Sequence, residues 1–268
     1  MRHPQLGIFG SGRMLIWLLD SVTRLSLGAG TSPAELVEAL SDLQGCFRLA
    51  RLEIRTPRMG LSDSSQAIRA LAGAVIHMSL LTHLSIPEDF VTEDLLLHIS
   101  LLPRLEILVV SSTPLTHVLL GGECQGFPSL RSLDVPGESL LRRFLSYPIQ
   151  DLETLRVRDL DQNTLPVVAR KLPNLRQLSL EGRSFTSPEI FVLGACFQLE
   201  EVNITTQYPM GMDDLDIHRF RAMFQNLRSL TTTTRDPLSG VEVHYTRYRR
   251  DVAEASWAVE ANGLGRGT

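Results

Sequence analysis

The sequence predicts an open α/β solenoid, in which short parallel strands alternate with helices. The first observation behind this prediction is a motif, L-x-x-L-x-L with some Val, Ile or Thr, that recurs nine times from Val22 to Thr232. The second is the spacing, because successive copies begin 22 to 32 residues apart and helix-start signals lie between them. One copy cannot bury its own apolar side, so each copy requires neighbours.

The clearest copy is LRQLSL at 175–180, which has the strand signature of a leucine-rich repeat. Side chains alternate along a strand, so Leu178 and Leu180 are predicted to point into a shared core while Gln177 and Ser179 point away from it. The nine predicted strand segments begin at Val22, Leu49, Leu81, Leu105, Leu130, Leu152, Leu175, Leu199 and Leu227.

Composition limits the possible functions. The 268 residues are 43% apolar and 21% charged, values typical of a folded globular protein. The net charge of −4 does not favour nucleic acid or an anionic membrane as partner. Three cysteines without paired spacing, Cys46, Cys124 and Cys196, indicate buried thiols in a reducing compartment. The apolar run 14–19 is too short to span a membrane, so we expect a cytoplasmic or nuclear protein.

Residues 1–13 are expected to be a loose segment, and 14–234 a repeat domain that starts with a short helix over 14–19. Ser32, Pro33 and Glu35 predict a capped helix that runs toward Gln44. Further helices are predicted near 65–79, over 93–100 after Thr92 and before Pro103, and over about 213–224. The segment Thr186-Ser187-Pro188 repeats Thr31-Ser32-Pro33, and Cys196 repeats Cys46.

The repeat pattern ends after Thr234. Residues 241–245 alternate like an edge strand, and 251–259 are expected to form a short helix that packs Trp257 on the open end. The expected organisation is therefore a C-terminal cap over 235–261 and a disordered tail over 262–268. The run from Tyr245 to Arg250 interleaves aromatics with arginine, as single-stranded nucleic acid binders also do. The acidic charge of the whole chain favours a solvated cap instead.

The segments LPRLEILVV (102–110), FPSLRSLDV (127–135) and LPNLRQLSL (172–180) resemble the leucine-rich-repeat half of fungal-type F-box proteins. This resemblance covers about residues 14–234. It implies a substrate receptor of a cullin-type ubiquitin ligase, in which a separate N-terminal F-box grips the ligase adaptor. The sequence contains no F-box, because its Leu-Pro pairs at 102, 165 and 172 all lie within the repeats.

Two interpretations follow: a fragment or divergent member of that family, or a repeat protein with another role. The chain also departs from the repeat pattern at the position three residues past the last strand leucine. Thr113, Glu138 and Arg183 stand there in place of Asn or Cys, so no continuous asparagine ladder is expected.

We expect no enzyme activity, catalytic residue, cofactor or metal site. The seven histidines lack metal-ligand spacing, and the glycine pairs near residues 10–12 and 28–30 are too short to cradle a phosphate. Cys46 and Cys196 are expected to fill the core rather than act as nucleophiles. One enzyme-related alternative is a GTPase activator built on similar repeats, for which Arg13 and Arg24 are the candidate residues.

The candidate binding site is the concave side of the strands, which nine strands would extend over roughly 40 Å, enough for a protein or peptide. Its predicted residues are Arg51, Glu53, Arg55, His83, Ile107, Val109, Asp134, Arg156, Arg158, Glu181, Glu201 and Asn203. Ile107 and Val109 are apolar, whereas the residues at the equivalent strand positions of the neighbouring repeats are polar. They are either interface anchors or covered by a loop or the C-terminal tail. A slipped register would instead bury Ile107, but Pro103 aligns with Pro128 and Pro173.

Overall fold

The structure, a computed structural model, describes residues 5–8, 22–28, 32–55, 61–111, 126–208, 210, 214–236, 242–251 and 256–262. The helix predicted over 14–19, Arg13, Thr113, Cys124 and the tail after Asn262 lie outside the described residues. The chain divides into two compact units, Met1–Asp134 (unit 1) and Val135–Thr268 (unit 2).

Unit 1 contains parallel strands in chain order, each paired with the next. They are β1 (Gln5–Ile8), β2 (Arg24–Leu27), β3 (Arg51–Ile54), β4 (His83–Pro87), β5 (Ile107–Ser111) and β6 (Ser132–Val135). Their registers align one leucine from each of β2 to β6 in a single row, and every one is buried: Leu25, Leu52, Leu84, Leu108 and Leu133. The predicted alternation is therefore confirmed for this unit.

Helices connect these strands: α1 (Pro33–Asp42), α2 (Leu61–Val75) and α3 (Glu93–Ser100). The capping box at the start of α1 is confirmed, since the Ser32 backbone N–H donates to Glu35 Oε2 at 2.9 Å. The predicted cap of α3 is also present, because Thr92 Oγ1 accepts from the Leu95 N–H at 3.3 Å. Helix α2 begins and ends four residues earlier than the predicted span of about 65–79.

Unit 2 begins with parallel strands and ends with antiparallel ones. The parallel strands are β7 (Thr154–Val157), β8 (Gln177–Gly182), β9 (Glu201–Thr206) and β10 (Ser229–Arg235). The antiparallel strands are β11 (Glu242–Asp251) and β12 (Ser256–Asn262). Leu155, Leu178, Val202 and Leu230 are register partners and are buried, so the predicted parity is confirmed here too.

The helices of unit 2 are α4 (Glu138–Phe144), α5 (Leu165–Lys171), α6 (Ser187–Phe191) and α7 (Asp214–Met223). Helix α6 differs from its sequence counterpart α1, because its N-cap is Thr186 rather than Ser187. The Thr186 N–H donates to Glu189 Oε2 at 2.7 Å. The shift places proline at the second helical position, where its missing N–H is equally harmless.

Three predictions about the ends of the chain are wrong. Residues 5–8 are not loose but form β1, which extends the parallel sheet of unit 1. Strand β11 is not an edge, since β10 and β12 flank it on both sides. A helix is predicted over 251–259, but the residues of this span that the structure describes, 251 and 256–259, lie in β11 and β12, because antiparallel pairing overrides the weak helical pattern. The horseshoe curvature stays a prediction.

Candidate functional site

The candidate site in each unit is the side of the strands that faces away from the buried leucines. In unit 1 we call this the strand face of unit 1, consisting of Arg24, Ser26, Arg51, Glu53, Arg55, His83, Ser85, Ile107, Val109, Ser132 and Asp134. These residues alternate with the core residues along β2 to β6, or follow β3 directly, and all of them are at least partly exposed. The structure thus brings together the predicted site residues of unit 1.

Strand register arranges this face in two rows. One row runs Arg24, Arg51, His83, Ile107 and Ser132, and the other runs Ser26, Glu53, Ser85, Val109 and Asp134. Within the second repeat, Arg55 Nε lies 2.7 Å from Glu53 Oε1. Because Arg55 is 69% exposed, this ion pair orients the two side chains more than it stabilises the fold.

His83 is the half-buried centre of the first row, with Arg51 on one side and Ile107 on the other. Burial lowers the pKa of His83, and the positive charge of Arg51 lowers it further, while Glu53 opposes them. Its Nδ1 is buried and forms no hydrogen bond with any described residue. The imidazole therefore favours the neutral form and presents a weakly polar surface beside Ile107.

Ile107 and Val109 are the two apolar members of this face, both on β5 and both half-buried. Their cross-strand neighbours are polar or charged: His83 and Ser132 beside Ile107, and Ser85 and Asp134 beside Val109. The register is the predicted one, since Leu108 and Val110 between and after them are fully buried. The slipped alternative that would bury Ile107 is wrong.

The strand face of unit 2 consists of Thr154, Arg156, Arg158, Gln177, Ser179, Glu181, Glu201, Asn203, Thr205, Ser229, Thr231, Thr233, Arg235, Tyr245, Arg247 and Arg249. Register pairs from β7 to β11 align these side chains on one side, opposite the buried row that contains Leu155 and Leu178. Arg156, Glu201 and Asn203 are exposed, and Arg158 and Glu181 are half-buried. All five predicted residues of this unit therefore lie on one face.

Sequence reasoning missed the contribution of β10 and β11 to this face. Arg235 Nη1 lies 3.1 Å from Glu181 Oε1, reaching across β9 from β10 to β8. Arg247 Nε donates to Ser229 Oγ at 3.4 Å, and Tyr245 and Arg249 share its side of β11. The available signal was the alternation in Tyr245-Thr-Arg247-Tyr-Arg249, which places every second residue on one side of a strand.

The two described cysteines are buried, as predicted. Burial raises the pKa of Cys196 to about 11. Its thiol lies 3.6 Å from the Leu172 carbonyl oxygen and 3.8 Å from that of Ala169. A thiol that stays protonated inside the core is a packing group, not a nucleophile.

A second exposed apolar set lies outside the strand faces, in the turns that lead from helices into strands. Phe47 is 55% exposed and Phe197 64%, directly after the two buried cysteines. The Phe47 ring meets His77 edge-on, with centroids 6.4 Å apart. Ile76 and Leu101, which follow α2 and α3, are similarly exposed. This set is a competing candidate for protein contacts.

The part of the chain that the structure describes contains no group of three or more His, Cys, Asp or Glu side chains that could hold a metal ion. None of the helices described is both long enough and apolar enough to cross a bilayer.

No protein-family model matches this chain, and no curated protein matches its sequence. A structure of a protein from Bacteroides fragilis is similar over 77% of this chain, at 14% identity and a TM-score of 0.38; the match spans 65% of that protein, less than two thirds. The leucine-rich repeat-containing protein LegL7 from Legionella pneumophila is similar over 90% of this chain and 93% of its own, at 13% identity and a TM-score of 0.38. An internalin from Listeria monocytogenes is similar over 81% and 88%, at 13% identity and a TM-score of 0.31.

Proposed function

We propose that this protein is a non-enzymatic scaffold that binds other proteins through the strand faces of its leucine-rich repeats. The observation that carries the proposal is the pair Ile107 and Val109, partly exposed apolar side chains bordered by polar and charged neighbours. Apolar anchors inside a polar surround are typical of the energetically important part of a protein interface. The rigid repeat core beneath them would hold such anchors in place without ordering cost.

The chemistry of the two strand faces supports binding rather than catalysis. Arginine, serine and glutamate occur on both faces, and the face of unit 2 adds threonine and asparagine. These side chains make directional contacts with a polypeptide. The half-buried His83, whose pKa is lowered by burial and by Arg51, adds an uncharged polar group beside the apolar pair. Regularly spaced donors and acceptors of this kind select a partner by complementarity.

A narrower form of the proposal follows from the resemblance to fungal-type F-box proteins. In that form the bound protein is a substrate and the chain delivers it to a cullin-type ubiquitin ligase. Affinity purification of the full-length gene product tests this, since recovery of a cullin adaptor supports the ligase role. A full-length product that binds partners but recovers no adaptor would leave a free-standing scaffold or regulator as the function.

The binding surface is tested by capturing partners from an extract of the native organism on immobilised protein and identifying them by mass spectrometry. We expect Ile107→Ser with Val109→Ser, and Arg156→Glu with Arg158→Glu, to lose partners that the unmodified chain retains. The matched controls are Leu97→Ser, an exposed leucine of α3, and Arg170→Glu, an exposed arginine of α5. Circular dichroism confirms that each variant is folded.

Two results would contradict the proposal. One is a partner set that survives all the strand-face substitutions unchanged. The other is an equal loss in the controls, which would indicate nonspecific adhesion. A partner lost only on Phe47→Ser would place the binding surface in the turns instead.

A further inference from the structure

The strand face of unit 2 contains a row of side chains with an arginine at each end and no carboxylate between them. Reading from β7 to β11, this central row is Arg156, Ser179, Asn203, Thr231 and Arg247. This row is not visible in the sequence, because its two ends lie far apart in the chain. Only the pairing of the strands brings the five residues into line.

The charges within the central row favour an anionic partner. Arg156 is exposed, and its side chain forms no ion pair or hydrogen bond with any described residue. Arg249 is also exposed and lies two residues from Arg247 on the same side of β11. Arg235 lies 3.1 Å from Glu181 and 3.8 Å from Glu242, so its charge is shared by two acids. Glu201 is an exposed acid in the neighbouring row, and the strand register places Glu260 of β12 beside Arg247. This arrangement contrasts with the chain as a whole, whose net charge is −4.

We propose that this central row binds an acidic segment of a partner protein, with carboxylates at its two arginines and its backbone over the short polar side chains. The inference rests on the proposed protein-binding function and specifies the class of partner for unit 2. Four strand spacings of about 4.8 Å place the backbones of Arg156 and Arg247 about 19 Å apart. An extended peptide rises about 3.3 Å per residue, so two acidic positions about six residues apart match this separation.

A single-stranded nucleic acid is the competing anionic partner, and the structure disfavours it. Such ligands need aromatic rings on which bases stack. The two tyrosines of the basic run do not share a face: Tyr245 lies on the strand face and is half-buried, whereas Tyr248 lies on the core side and is 9% exposed. The short side chains of Ser179, Asn203 and Thr231 offer hydrogen bonds but no stacking surface.

The test measures fluorescence anisotropy of a labelled synthetic peptide with the full chain at low salt. The peptide carries two Asp-Asp pairs separated by a four-residue Gly-Ser spacer. The comparison peptides are one with every Asp replaced by Asn, one with the four Asp contiguous, and a ten-nucleotide oligouridylate. We expect the spaced peptide to bind most tightly and to weaken as salt is added.

Arg156→Glu and Arg247→Glu should each weaken the spaced peptide by about fivefold or more, since opposite charge is replaced by like charge. Arg156→Gln, which removes the charge without reversing it, should weaken it less and guards against misfolding of the Glu variants. The matched control Arg170→Glu changes the net charge equally but lies on helix α5, and it should leave affinity within about twofold.

The inference is overturned if the Asn peptide binds equally well, if Arg156→Glu behaves like Arg170→Glu, or if oligouridylate binds more tightly and depends on the same arginines. The proposed function fails separately. If partner capture still depends on Ile107 and Val109 while the peptide does not bind, the scaffold role stands and the acidic-partner inference falls. If the peptide binds but capture is unchanged by every strand-face substitution, the row binds acidic peptides, but the proposed function fails and the inference about a partner protein falls with it.

Discussion

Glu138 Oε1 accepts a hydrogen bond from the buried hydroxyl of Thr164 at 2.5 Å, which ties the first turn of α4 to the turn that precedes α5. The other carboxylate oxygen accepts the Asp161 N–H at 3.1 Å, and Arg142 forms an ion pair within α4. Glu138 is one of the residues that stand where the repeat pattern in the sequence predicts Asn or Cys. A carboxylate here joins one repeat to the next, so the missing asparagine does not leave the repeats unconnected.

Loss of this connection should destabilise unit 2. Glu138→Ala leaves the Thr164 hydroxyl and the Asp161 N–H without their acceptor, so we expect a loss of about 1–3 kcal/mol in the free energy of unfolding. Thr164→Val should lower the free energy of unfolding by a similar amount. The double variant should lose less than the sum of the two single losses, because both substitutions remove the same hydrogen bond. Urea denaturation measures all three, with Glu38→Ala on the exposed side of α1 as control. Strict additivity of the two losses would contradict the coupling.

The stability that Glu138 contributes should also depend on pH. Partial burial raises the pKa of Glu138, but hydrogen bonds from Thr164, Arg142 and the Asp161 backbone outweigh it and lower the pKa below 4.5. A lowered pKa means that the contribution is complete above about pH 4.5 and is lost as pH falls through the folded-state value. The difference in urea midpoint between the unmodified chain and Glu138→Gln should therefore shrink between pH 6 and about pH 3. If the difference in urea midpoint stayed constant over this pH range, the negative charge of Glu138 would not be the source of the stabilisation.

Truncation of the core row should be much more costly than change on the strand face. Leu178 is 1% exposed, and Leu178→Ala should lower the free energy of unfolding by about 2–5 kcal/mol. Its chain neighbour Ser179 points to the other side, so Ser179→Ala should change stability by about 0.5 kcal/mol or less. Chemical denaturation of the two variants under the same conditions measures this contrast. Similar losses at both positions would mean that the strand does not have one buried and one exposed side.

The pH dependence of unit 1 should involve His83. Burial, then Arg51, lowers its pKa below 6.5 in the folded state, with Glu53 opposing. The unfolded chain therefore binds a proton at His83 more readily than the folded chain does. The contribution of neutral His83 to stability is complete above about pH 6.5 and is lost as pH falls through the lower folded-state pKa. His83→Gln should flatten the fall in urea midpoint between pH 7.5 and about pH 5. The exposed His218→Gln serves as control, and an unchanged slope in His83→Gln would refute the role of this residue.

The buried thiol of Cys196 should be unreactive until the protein unfolds. Its pKa of about 11, against an ordinary 9.0, leaves about a hundredfold less thiolate at pH 8, and burial blocks access as well. Iodoacetamide labelling followed by peptide mass spectrometry should modify Cys196 in urea but not in the native protein. A Cys124→Ser background removes the one cysteine outside the described residues. Rapid native labelling of Cys196 would contradict its core placement.

Much of the repeat architecture could be predicted from local pattern alone. The spacing of leucines marks the nine repeat strands because a strand with one buried side must alternate, and each repeat carries the same alternation. The capped starts of α1 and α3 were also readable, since Ser32, Glu35 and Thr92 satisfy backbone N–H groups a few residues away. These are short-range effects that neighbouring residues decide.

Other features depended on partners distant in sequence. Residues 256–262 form a strand rather than a helix because β11 provides a pairing partner, and the Tyr-Arg run joins the strand face of unit 2 through the same antiparallel register. The reach of Arg235 to Glu181 over an intervening strand likewise has no local signal. The sequence by itself determined which side chains enter the core, because alternation is a property of one strand. Only the tertiary structure decided which charges meet across the sheet, because that depends on the register between strands far apart in the chain.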